Sequence, residues 1–142
     1  MKAPTDSDGR FQQRFESCEL AAAEFHHREH LRVAYIYLTL HPPEVALDTM
    51  RRGLQKFLTH LGAPASKYHE TMTRAWLLAV HHFMHVAERA ASFDQFARSA
   101  PQLFDQQIML THYTSKLLMS DTARCRFVEP DLDPIPRYRA KV

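Results

Sequence analysis

A chain of 142 residues is long enough to bury one ordinary core, so no metal or disulfide is required to hold it together. Its 45% hydrophobic, 24% charged and 11% aromatic residues exclude a disordered polymer. Eighteen basic and sixteen acidic residues, interleaved to a net charge of +2, leave no electrostatic footprint for a nucleic-acid backbone.

Residues 1–10 are polar, with Pro4, Asp6, Asp8 and Gly9, and lack the apolar run of a secretion signal; they are expected to be a flexible N-terminus. No segment approaches the length of a membrane span. Cys18 and Cys125 match no CxxC spacing, so reduced thiols and a cytoplasmic location are expected. Residues 11–24 fit a helix through Phe11, Phe15, Cys18 and Ala22, and fit a helix–loop entry nearly as well.

From about 25 to 40, Leu31, Ala34, Tyr35 and Leu38 share one helical face, and Pro42 with Pro43 ends the run. The segment 44–61 repeats Leu47, Met50, Leu54, Phe57, Leu58 and Leu61 at three-four spacing, with Gly62 as its left-handed stop. Pro64 and the N-cap candidate Ser66 then introduce a helix to about residue 91, whose expected buried stripe runs through Met72, Trp76, Ala79, Val80, Phe83 and Ala87. A short helix over 93–97 and a last one over 102–119 follow. Pro130, Pro134 and Pro136 forbid helix beyond Arg126. The fold class is therefore all-α: a single-domain bundle of four to six helices over 11–126, with an extended tail over 127–142.

Ten histidines are the chemically distinctive feature. At about 100° per residue, His27 falls within the apolar face of its helix and His30 lies one turn on at the edge of that face. His69 projects from the next long helix in line with Trp76. An inward imidazole needs partners for its nitrogens, and an apolar stripe offers none. One divalent transition metal, Zn, Fe, Cu or Ni, would satisfy His27, His30 and His69 together, with Glu70 as fourth ligand or general base. His81 and His85 turn away from the Trp76 stripe, toward solvent or an interface. No phosphate loop, dinucleotide fingerprint or nucleophile elbow occurs.

Three stretches, Phe25-His-His-Arg-Glu-His-Leu-Arg-Val-Ala34, Lys67-Tyr-His-Glu-Thr-Met-Thr-Arg-Ala-Trp76 and Ala123-Arg-Cys-Arg-Phe-Val-Glu-Pro-Asp-Leu132, together resemble a family of small, uncharacterised bacterial helical proteins with FxHxxH and KYHET motifs. The likeness spans about residues 15–136. It implies an all-helical fold and points to no established activity.

Two functions are thus expected from the sequence. One is a metal-binding bundle acting on a small-molecule substrate through His27, His30, His69 and Glu70. The other is a non-enzymatic module that dimerises with itself or docks a partner through an apolar helix face, with structural histidines. Neither a nucleic acid nor a membrane is an expected partner.

Overall fold

A computed structural model describes residues 5–87 and 89–135. Among them the secondary structure is helical throughout: α1 (Asp6–Glu16), α2 (His27–Leu40), α3 (Pro43–His60), α4 (Glu70–Val86), α5 (Phe93–Ser99), α6 (Ser115–Leu118) and α7 (Asp121–Cys125), joined in part by 3-10 turns. No helix of the described residues is long and apolar enough to cross a membrane.

The helices α2, α3 and α4 pack against one another, α1 leans on α2 and α3, α5 on α2, and α7 on α4. Phe15, Leu31, Ile36, Met50, Phe57, Leu77 and Val80 lie in the main core. A second, smaller cluster of Ala75, Met109, Tyr113, Leu118 and Ile135 covers another side of α4. Burial of α4 on more than one side explains why its stripe is only partly the one expected: Ala79 and Val80 are buried as expected and Thr71, Thr73, Ala75 and Leu77 are buried besides, whereas Met72, Trp76 and Phe83 are only half-buried.

Pro43 stands at the start of α3, where its missing N–H costs nothing. Gly62 stops that helix as expected, with φ +75°, donating to the Thr59 carbonyl while Ala63 donates to that of Leu58. Inside α3, Gly53 is required by a close approach: a Cβ there would meet Phe15 at 2.7 Å, and Phe15 is 1% exposed and stacked on Phe25 at 5.4 Å.

Several boundaries differ from expectation for identifiable reasons. Residues 6–10 are the first turns of α1 rather than a flexible arm; residues 1–4 lie outside the described part. Asp8, 3% exposed, accepts from Arg32 Nε at 2.9 Å and from the Phe93 amide at 3.0 Å, tying α1 to α2 and α5. Ser66 sits in a 3-10 turn, Ala65–Lys67, and does not cap α4; that cap is His69.

The single helix expected over 102–119 is broken. The side chains of Asp105, Thr114 and Ser120 each accept a backbone N–H two or three residues on, and each starts a new short turn. The extended tail is laid over the bundle as far as Ile135: Leu132 donates to the His112 carbonyl at 2.9 Å and Asp133 to that of Thr111 at 3.2 Å. The Tyr113 hydroxyl donates to the Val128 carbonyl at 2.7 Å. Residues 136–142 lie outside the described part.

Candidate functional site: a histidine-lined cavity

Helices α2, α3 and α4 enclose a cavity of about 470 Å³ that His27, His30 and His69 all line, together with Trp76, the one tryptophan of the chain. Its floor is Met50, Leu54 and Phe57 of α3, each 4% exposed or less. Phe25 forms a side wall, its ring 5.1 Å from Phe57 and 4.4 Å from the His30 imidazole. Ala22, His26, Leu61, Lys67 and Gln106 line it too and are exposed, which makes them the mouth.

The helical spacing therefore brings the three expected histidines to one cavity, but each has its own surroundings. His69 has both nitrogens engaged. Its Nδ1 accepts the Met72 amide at 3.1 Å, the N-cap bond of α4, and its Nε2 donates to the Leu118 carbonyl at 2.7 Å. An amide can only donate and a carbonyl can only accept, so the neutral Nε2–H tautomer is dictated by its partners. Burial lowers the pKa of His69, as does the charge of Arg124, against the bond to Leu118.

His27 likewise donates from Nε2 to a carbonyl, that of Leu103, at 2.8 Å, and its ring meets Trp76 edge-on at 4.5 Å. His30 differs: its ring makes no hydrogen bond with any described residue. Burial pushes its pKa down from 6.5 to about 4, and the neighbouring His27 adds to this against the opposing charge of Glu29. It is thus a neutral, half-buried imidazole that lines the cavity and is only partly screened from bulk water.

As they stand, the three imidazoles do not form a ligand set: among the described residues no group of three or more His, Cys, Asp or Glu side chains is placed to hold a metal ion. The reason is local. Metal coordination by His69 would require release of Leu118 or Met72, bonds that stop one element and start another. The sequence pattern sees which way a ring points, not the distant carbonyl it finds.

Glu70 does not line the cavity. At 8% exposure its carboxylate accepts from Arg51 Nε at 2.8 Å, Arg51 Nη2 at 2.7 Å and the Tyr68 hydroxyl at 2.8 Å. Burial alone would push this carboxyl up; the hydrogen bonds from Arg51 and Tyr68 and the guanidinium charge outweigh it and hold the pKa below the usual value. A general base poised near neutrality needs the opposite shift. Glu70 is a fastener between α4 and α3.

Sequence reasoning passed over Lys67, Gln106 and the α3 floor as site residues. Lys67 and Tyr68 stand inside the KYHET stretch, which was the available signal. His81 and His85 do not line the cavity; their rings lie 4.4 Å apart on α4, His85 exposed and His81 half-buried. Comparisons of the chain with protein-family models, with curated proteins and with solved structures give no match.

Proposed function

We propose that the protein is a helical domain that binds a small, mainly apolar molecule between α2, α3 and α4, its histidines forming the polar part of the wall. The observation that carries this reading is the meeting of His27, His30, His69 and Trp76 on one cavity of about 470 Å³, a size and an apolar-with-few-polar-groups character typical of small-molecule sites. The bonds of His27 and His69 to carbonyls support a preorganised wall, which lowers the ordering cost of binding. No Asp or Glu of the described residues lines the cavity, which weighs toward binding and against carboxylate-driven chemistry.

A thermal-shift screen of uncharged and charged fragments tests it. A ligand raises the midpoint in proportion to RT ln(1 + [L]/Kd), so one present at about a hundred times its Kd adds ~2.7 kcal/mol. Hits are expected for the parent protein and not for Met72→Trp, which fills the cavity. A screen without hits, or hits unaffected by that substitution, would contradict the reading.

A metal-dependent reaction, with Zn, Fe, Cu or Ni on His27, His30 and His69, is the second reading. The neutral His30 ring favours it, since imidazole ligates only when unprotonated. It requires His69 to give up the Met72 amide at Nδ1, or the Leu118 carbonyl at Nε2, to the ion.

A further inference from the structure

We infer that the cavity takes a monocarboxylate carrying an apolar chain or ring, its tail against the α3 floor and its carboxylate at the mouth beside Lys67; this rests on the ligand-binding reading above. Polarity is graded along the cavity. Met50, Leu54 and Phe57 at the floor are buried and carry no hydrogen-bonding side chain, whereas His26, Lys67 and Gln106 at the mouth are exposed and all carry donors.

The charge at the mouth is also unspent. Lys67 forms no ion pair with any described residue, and among those residues no Asp or Glu lines the cavity. A cationic ligand would find only like charge, and an alcohol would leave the ammonium unused.

One lysine, with no arginine in the lining, fits a single negative charge. A phosphate or a dicarboxylate would call for the forked, bidentate recognition that guanidinium supplies. His30, half-buried in the same lining, offers a ring nitrogen to the polar end. The occupant is therefore amphiphilic, with its polar end set by Lys67 and its length set by the distance to the floor.

The test is a matched set of ligands on the full chain: decanoate, 1-decanol and decylamine, each titrated below its aggregation limit and read by Trp76 fluorescence. Decanoate is expected to bind at least about tenfold more tightly than decanol or decylamine, with affinity that falls as salt rises. Lys67→Gln, at an exposed position, should bring decanoate down to the level of decanol and leave decanol unchanged.

Equal binding of decanoate and decanol would overturn the inference while leaving the cavity a ligand site. So would a decanoate preference that survives Lys67→Gln. Saturable binding of none of the three would overturn it together with the ligand-binding reading.

Discussion

Replacing His30 with leucine is expected to flatten the acid limb of the protein's stability between pH 6.5 and about 4. In the unfolded chain the ring takes a proton near its ordinary pKa of 6.5, whereas in the fold, burial and the neighbouring His27 hold protonation off until about 4. The unfolded state therefore binds more protons across that window, so stability is complete above pH 6.5 and falls as the pH drops toward 4. A depression from 6.5 to about 4 corresponds to roughly 3 kcal/mol, a large share of what holds a domain of this size.

His69 and His81 are also lowered, with burial the first cause in each, so the variant keeps a shallower slope of the same sign. Urea midpoints at pH 7.0, 5.5 and 4.5, followed by Trp76 fluorescence, measure the difference directly. Parallel curves for parent and variant would show that the His30 ring is not screened from water as described.

Arg51→Ala is expected to be strongly damaging, costing about 3 kcal/mol and lowering the melting temperature by roughly 10 °C. The loss is not that of a favourable surface pair. It arises because Glu70, 8% exposed, keeps its desolvation penalty and loses the two guanidinium bonds at 2.8 and 2.7 Å that offset it. Arg51 itself is a third exposed, which keeps the cost below that of a fully buried pair.

Glu70→Gln should cost less, since the amide carries no charge and can still accept from Tyr68. The double change Arg51→Met with Glu70→Met should recover much of the loss, because well-packed apolar groups replace buried ion pairs at little cost. Melting curves of these variants check the order. An Arg51→Ala protein as stable as the parent would mean that Glu70 reaches solvent or another partner.

These two positions also show why some of the molecule can be read from its sequence and some cannot. Helix α3 is legible because its apolar residues recur with the period of one face, and the ends of α2 and α3 because Pro42, Pro43 and Gly62 act through backbone constraints that need no tertiary partner; α2 is buried nearly all round, with Val33, Ile36 and Tyr37 off the expected face. The start of α4 is not legible, because its cap is an imidazole, His69, where the preference for short oxygen-bearing side chains points to Ser66. Over 102–119 Leu103 and Leu118 are buried but Leu110 is exposed, because capping by Asp105, Thr114 and Ser120 divides the segment and breaks the helical period.

At the site, periodicity aims His27, His30 and His69 at one interior, and they do line one cavity. Their partners lie 76 and 49 residues away in the chain, at the carbonyls of Leu103 and Leu118, which no local pattern can announce. Glu70 lies off that cavity for the same reason: adjacency to His69 is visible in sequence, and the guanidinium that pairs with it from α3 is not.

The central claim is that carbonyl groups, rather than an ion, hold the His27 and His69 rings in place around an open cavity. Long-range proton–nitrogen NMR of the imidazoles, with and without one equivalent of zinc, addresses it most directly. Both rings should show the Nε2–H tautomer, with nitrogen shifts that zinc leaves unchanged. Zinc-induced shifts at His27, His30 and His69 together, saturating at one equivalent, would establish a metal centre and contradict the account.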